Sequence, residues 1–328
     1  MRNPLQRHWF LAALLSLLAA GIVGWDQFTT LAAHMPQEYL VASVLLVMSL
    51  GLKTGAMWQS VRWPAGAALA VAVNLGVVPP LAWLAGRMLE PSLAEGMIVA
   101  AAAPCTQASA AVWTRRAGGN DTIAVLTTMA TSLLCFVATP AWLQFLAGRT
   151  GGAQQDFGRL VLRLALLVAL PIVIGQLLRA IPTVRGWATR YAHGLSLYAQ
   201  LGILSMVFVG AVECGRQIER LDGGVGPLAG QIALMMALVA GVHLAAWGIG
   251  FWTAGRFGMS RADQTGVAFA GSQKTLMVGL AIAVEFGGLA VLPMVAYHVE
   301  QLLIDTVLAD WLRRGASVTP RAAEESGG

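Results

Sequence analysis

The chain has 328 residues, 57% of them hydrophobic and only 11% charged, and its mean hydropathy is +0.68. A soluble globule carries about 25% charged residues, so this composition excludes a soluble enzyme or binding module and indicates an all-α polytopic membrane protein. The formal net charge of +5 does not point to nucleic acid, because the arginines are spread over many short loops.

Crossing roughly 30 Å of hydrocarbon takes about 20 apolar residues. Read between glycine, proline and charge breaks, the sequence predicts ten spans, near residues 8–24, 38–58, 65–86, 94–114, 121–146, 159–179, 191–213, 227–255, 263–286 and 291–312. The first span follows Arg2 and Arg7, the layout of a secretory signal. It lacks a clean small-x-small cleavage site and an unbroken series of spans follows, so an uncleaved helix is expected. The fourth span contains Ala100-Ala-Ala-Ala-Pro-Cys-Thr-Gln-Ala-Ser109, with a proline and several polar groups at mid-depth. The ninth contains Ala270-Gly-Ser-Gln-Lys-Thr-Leu276, with an amide and a lysine in the middle of an apolar run.

Basic residues test the count, since short cytoplasmic loops are richer in them. Arg2, Arg7, Lys53, Arg62, Arg115, Arg116, Arg179, Arg185, Arg190, Arg256, Arg261, Arg313, Arg314 and Arg321 fall on one side. Arg87, Arg149, Arg159, Arg216 and Arg220 fall on the other, among several acids. Both termini are therefore expected in the cytoplasm, with residues 315–328 as a tail and the chain in a bacterial inner (plasma) membrane. Trp9, Trp25, Trp58, Trp63, Trp187 and Trp311 lie near span ends and read as interface anchors. Cys105, Cys135 and Cys214 are too few and too scattered for a disulfide framework or a metal cluster. No metal site is expected.

Interrupted helices at corresponding positions of two five-span halves are the sequence mark of a transporter built from inverted repeats, with its site at the midplane. The halves divide near residues 1–150 and 151–314. A lysine at the centre of a membrane helix costs about 2.5 to 3.5 kcal/mol, so Lys274 is the foremost functional candidate. Its structural alternative is a pairing with one carboxylate, from among Glu285, Glu300 and Asp305.

Several motifs then add a resemblance. They are Val47-Met-Ser-Leu-Gly-Leu-Lys53, Val78-Pro-Pro-Leu81, Pro104 followed by Thr114-Arg-Arg-Ala-Gly-Gly-Asn-Asp121, Gly271-Ser-Gln-Lys-Thr275, and Leu292-Pro-Met-Val-Ala-Tyr-His-Val-Glu-Gln301. In this order the chain, over residues 38–314, resembles the bile acid:sodium symporter family, and more closely its SBF-like branch. The resemblance implies ten helices in two packed units. A panel would hold spans near 8–58 and 159–213, and a core those near 65–146 and 227–312, with broken helices 4 and 9 crossing in the core. It further implies a small or amphipathic organic anion as substrate, alternating access, and no enzymatic activity. The partners are the lipid bilayer and that anion; nucleic acid is not among them.

The same resemblance exposes departures. Where sodium-coupled members carry a glutamate four residues before the ninth-span glutamine, here Gln273, this chain has Phe269; Lys274 replaces an amide, and Ala110 stands for an asparagine beside Ser109. Exchanging a carboxylate for an ammonium turns attraction for a cation into repulsion. Bound sodium is thus disfavoured and no cofactor is expected. Lys274 is read as standing in for the ion at carbonyl ends of the broken helices, where it fixes the core or couples transport to protons. Thr106, Gln107 and Ser109 are read as cavity-facing, since unwound backbone at that depth needs protein or water partners. Thr128 and Ser132 lie near the family's ion-facing hydroxyls, Asn74 near an amide of a second ion site, and Ser272, His298 and Gln301 complete the binding set. Thr127 and Thr131 read as hydroxyls bonded to backbone carbonyls, and His243 as a packing residue. Competing readings are an arsenite-type permease using Cys105, an intramembrane enzyme with Ser272 or Cys105 as nucleophile, and a non-transporting regulator of ion homeostasis.

Overall fold

The computed structural model describes residues 4–51, 64–106, 109–146, 156–220 and 225–316. The described elements are helices joined by short turns. α1 (Pro4–Val23) runs into α2 (Trp25–Ala33) through a bend of 106°, and α3 (Gln37–Gly51) follows. α4 (Ala65–Gly86), the broken pair α5 (Pro91–Ala102) and α6 (Ser109–Arg116), and α7 (Asp121–Leu146) complete the first half. The second half contains α8 (Phe157–Ala180), the short α9 (Pro182–Arg190), α10 (Ala192–Glu219) and α11 (Val225–Arg256). It ends with the broken pair α12 (Arg261–Ser272) and α13 (Leu276–Phe286), then α14 (Val291–Ala316).

Among the described residues, seven helices are long and apolar enough to cross a membrane, or eight if α1 with α2 counts as one span. α3 and α5 are shorter apolar helices. Many large apolar side chains turn outward along the long helices, Val307 69% exposed and Leu177 66% among them, a surface suited to lipid. Two predicted loops are helical instead. The sequence around 25–33 has no run long enough to register as a span, and at 182 the proline read as a break begins α9, because an N-terminal helical position needs no N–H.

Prolines also explain two π turns. In α4, Pro79 and Pro80 have no N–H to give, and Val78 donates five residues back to Val73 instead of four. In α8, before Pro171, Leu170 donates to Ala165 in the same way. Each turn leaves carbonyls without a helical partner.

α1, α3, α8 and α10 pack against one another. α4, α7, α11 and α12 pack together with α5, α6, α13 and α14. Between these two sets α10 touches α13 and α7 touches α8. α12 and α13 form the most interior span, 89% buried in its apolar window against at most 56% elsewhere. Close approach is bought with glycine at Gly96, where a Cβ would lie 2.4 Å from the Ala290 carbonyl oxygen. Near the end of α3, Gln176 of α8 donates to the Ser49 carbonyl (2.5 Å) and Arg179 to that of Leu50. The rest of that motif, with Lys53, lies outside the described residues, as does the tail beyond 316.

Candidate functional site

The two helix breaks meet, and each supplies what the other lacks. Ala103, forced extended by the following Pro104 (φ −63°, ψ 150°), ends α5. The carbonyl of Pro104 accepts the N–H of Thr275 at 2.8 Å. No proline interrupts α12–α13; there Gln273 and Thr275 are extended, and side chains hold the strand open. Gln301 of α14 grips the Lys274 backbone at both ends, its Oε1 accepting the N–H at 2.8 Å and its Nε2 donating to the carbonyl at 2.9 Å.

Lys274 is fully buried, and its Nζ donates to three oxygens: the Asn74 carbonyl (2.6 Å), the Ala103 carbonyl (3.0 Å) and Asn74 Oδ1 (3.1 Å). The first of these carbonyls is free because of the π turn, and the second ends α5. An ammonium has three donors and a neutral amine two, so the arrangement suits the charged form. The pairing of Lys274 with a carboxylate is corrected by this geometry. Glu285 bonds Arg163, Asp305 bonds His243, and Glu300 Oε2 has no hydrogen-bond partner among the described residues. Two backbone carbonyls and the Asn74 amide oxygen hold the lysine instead.

Asn74 is the hub of the arrangement. Besides accepting from Lys274, its Nδ2 donates to the carbonyls of Ala270 (3.2 Å), Gly271 (3.2 Å) and Gln273 (2.9 Å). The neighbouring freed carbonyl, that of Leu75, takes Trp142 Nε1 at 2.6 Å. Gln273 Oε1 accepts from Thr106 Oγ1 (2.7 Å) and Ser109 Oγ (2.8 Å), and its Nε2 donates to Asp305 Oδ2. Thr128 Oγ1 reaches the Thr106 carbonyl at 2.7 Å, and Thr131 Oγ1 accepts the Cys105 N–H at 3.1 Å. Thr106, Ser109, Thr128, Gln273, Lys274, Asn74 and Gln301 thus form one network.

Other candidates stand apart. Gln107 lies outside the described residues. Ser132 is buried on α7, and its carbonyl accepts from Cys135 Sγ. Ser272 joins through its carbonyl, which accepts from Tyr297 Oη at 2.8 Å, while its hydroxyl turns back to Phe269. His298 meets Gln301 on its own helix (3.1 Å) and the edge of Phe10. Cys105 is fully buried, with Thr128 Oγ1 3.6 Å from its sulfur. Phe269 packs its ring edge-on to Trp247.

Sequence reasoning passed over His243, whose ring nitrogens face Asp305 Oδ1 (2.9 Å) and the Ser272 carbonyl (3.3 Å). Two ionisable residues within predicted spans were a usable signal, but nothing in the sequence brings positions 62 apart together. The run Thr114–Asp121, one of the motifs of the resemblance, proves to be a clamp: Arg116 makes two 2.8 Å bonds to Asp310, and Asn120 Nδ2 donates to Asp263 at 2.8 Å.

Apolar outward faces and two discontinuous helices crossing in the interior describe an integral, multi-pass membrane protein with the architecture of a transporter. Residues 8–314 match the SBF-like CPA transporter family, and the chain belongs to it. Membership of a transporter family sets aside the intramembrane-enzyme reading. The chain is similar to "Probable sodium/metabolite cotransporter BASS4, chloroplastic" of Arabidopsis thaliana, 27% identical over 85% of this chain and 66% of the relative. The match thus spans just under two thirds of the plant protein. It is also similar to the uncharacterized protein PA2026 of Pseudomonas aeruginosa, 30% identical over 72% of this chain and 71% of that one. Sodium/bile acid cotransporter 7 of Rattus norvegicus is 21% identical over 94% and 93% of the two chains.

Proposed function

We propose that this chain is a secondary transporter of small or amphipathic organic anions, working by alternating access in the bacterial inner membrane, with Lys274 occupying the place of a coupling cation. The observation that carries the proposal is the set of three oxygens on Lys274 Nζ, two of them backbone carbonyls at the crossing of the breaks. Carbonyl groups at such breaks serve cations, and half-helix N-termini serve anionic substrates. Here a covalently attached cation holds the first position, so sodium is disfavoured there. In this proposal ten helices form two inverted repeats, with core helices near 65–146 and 227–312 moving against a panel near 8–58 and 159–213, and both termini are cytoplasmic.

The test is uptake into proteoliposomes of a panel of labelled anions: taurocholate, a sulfated steroid, and short mono- and dicarboxylates. The expected result is saturable uptake of at least one, unchanged when choline replaces sodium and lost in Lys274→Glu. Uptake that requires sodium refutes the role of Lys274. No uptake of any anion refutes the transport reading and favours a regulator. The arsenite alternative has less support, since the Cys105 thiol is closed off from all sides.

A further inference from the structure

His243 of α11 and Asp305 of α14 are both fully buried, and they hold each other at 2.9 Å through Nε2 and Oδ1. The other ring nitrogen, Nδ1, lies 3.3 Å from the carbonyl oxygen of Ser272. That places an oxygen acceptor at each ring nitrogen. A neutral imidazole has a single N–H, so beside an ionised Asp305 one ring nitrogen would turn its lone pair to an oxygen lone pair. The contacts are satisfied when the pair holds one proton more, either as imidazolium with carboxylate or as neutral imidazole with carboxylic acid. The second oxygen of Asp305 accepts from Gln273 Nε2, and Gln273 Oε1 accepts from Thr106 and Ser109. A single amide therefore joins the pair to the hydroxyls at the helix crossing.

We infer that the His243–Asp305 pair is a proton-binding site that loads and releases its proton during the transport cycle, with Gln273 as the positioning residue that carries its state to Thr106 and Ser109. This inference rests on the transporter proposal. With the proton bound, the pair is neutral and the crossing keeps the single positive charge of Lys274. With the proton gone, the pair is anionic and offsets the lysine. An organic anion is therefore held best when the pair is loaded, and proton and anion cross together.

The surroundings leave few other titratable groups. On α14, Tyr297 stands edge-on with its ring 5.8 Å from that of His243, Glu300 lies within electrostatic reach, and His298 faces Gln301 and α1. From the breaks come Cys105 and Lys274. α4, which also packs on α11 and α12, has no titratable side chain in its span. α12 and α13 carry theirs, Arg261, Asp263 and Glu285, at their outer ends. Asp305 and His243 are the pair most directly wired to Gln273.

The test uses the full chain in two arms. In the first, infrared difference spectra are recorded on purified protein without substrate as pH is stepped across the whole range in which the protein stays folded. Wild type is expected to show imidazole and carboxyl contributions of the pair over those of the other histidines and acids; Asp305→Asn loses both contributions, and His243→Gln loses the imidazole one and shifts the carboxyl one. If Asp305→Asn does not fold, His243→Gln decides. If the wild type shows no band that either variant changes, the pair is a fixed ion pair and the inference is overturned. In the second arm, pyranine-loaded proteoliposomes report proton entry during uptake of whichever panel anion is transported. Wild type should acidify inside, and Asp305→Asn should exchange anion without acidification. Anion uptake without acidification in wild type overturns the coupling. Titration bands with no transported anion leave the proton site standing and defeat the transporter proposal instead.

Discussion

Replacing Lys274 with alanine removes the ammonium and leaves the carbonyls of Asn74 and Ala103 and the Asn74 amide oxygen facing an empty space. Each buried acceptor stripped of its donor costs about 1–3 kcal/mol, so three of them place the gross loss at roughly 3–9 kcal/mol. Relief of the lysine's own burial offsets several kcal/mol of this, and a net loss of a few kcal/mol is expected. If the ammonium stands where a cation belongs, the vacated oxygens form a weak sodium site, and sodium returns part of the lost stability. At a concentration one hundred times the dissociation constant that return is about 2.7 kcal/mol. The assay is thermal unfolding of purified wild type and Lys274→Ala in sodium, lithium, potassium and choline chloride at equal ionic strength. Lys274→Ala should melt lowest in choline and recover selectively in sodium, while wild type shows no salt preference. Equal response of both proteins to sodium, or a variant insensitive to every cation, would refute the substitution of lysine for ion.

Further changes probe the scaffold and the rival reading. Gly96→Ala sets a Cβ 2.4 Å from the Ala290 carbonyl oxygen, a backbone atom with little room to move, so about 1–3 kcal/mol of destabilisation and a sharp fall in folded yield by size-exclusion chromatography are expected. Asn120→Ala removes the acceptor for the Thr122 N–H at the start of α7 (3.2 Å) and the donor to Asp263, and should lower stability by about 1 kcal/mol in a denaturation titration. Trp142→Phe leaves the Leu75 carbonyl without its indole donor and should cost about 1–3 kcal/mol, visible as a lower melting temperature. Cys105→Ser should leave the arsenite tolerance of expressing cells unchanged; a change of several fold would return weight to the permease reading.

The sequence made the breaks visible but not their chemistry. Proline and polar residues in the fourth span, and an amide with a lysine in the ninth, violate the rule that membrane helices bury no loose backbone, and a rule broken twice at matching positions is readable from residues alone. Carbonyl ends of the broken helices were readable as partners of Lys274, and the Ala103 carbonyl before Pro104 is one; the share of Asn74 was not, since its carbonyl is freed by the π turn before Pro79 and its amide oxygen comes from a helix elsewhere in the chain. A carbonyl leaves no mark in the sequence, because every residue has one. The helices α2 and α9 escaped for the opposite reason, being too short for a search tuned to membrane thickness.

The reciprocity of the crossing bears on what can move. Thr275 donates to Pro104, Lys274 to Ala103, and Thr106 and Ser109 to Gln273, so the hydrogen bonds that repair one break come largely from the other. Separating α5–α6 from α12–α13 would strand all of these buried or half-buried groups unless new partners reached them, at about 1–3 kcal/mol for each. The contacts between α10 and α13 and between α7 and α8 belong mainly to apolar side chains, which can slide past one another without leaving polar groups unmet. A cycle that exposes the site alternately to the two faces is therefore cheapest if the crossing travels as one body with Asn74, Gln301 and the His243–Asp305 pair. In the proposed cycle the surface that would yield is the one between the set α1, α3, α8 and α10 and the rest. There Arg163 of α8 pairs with Glu38 of α3 within its own set, at 3.1 Å, and with Glu285 of α13 across the divide, the ion pair that must part for the two sets to separate.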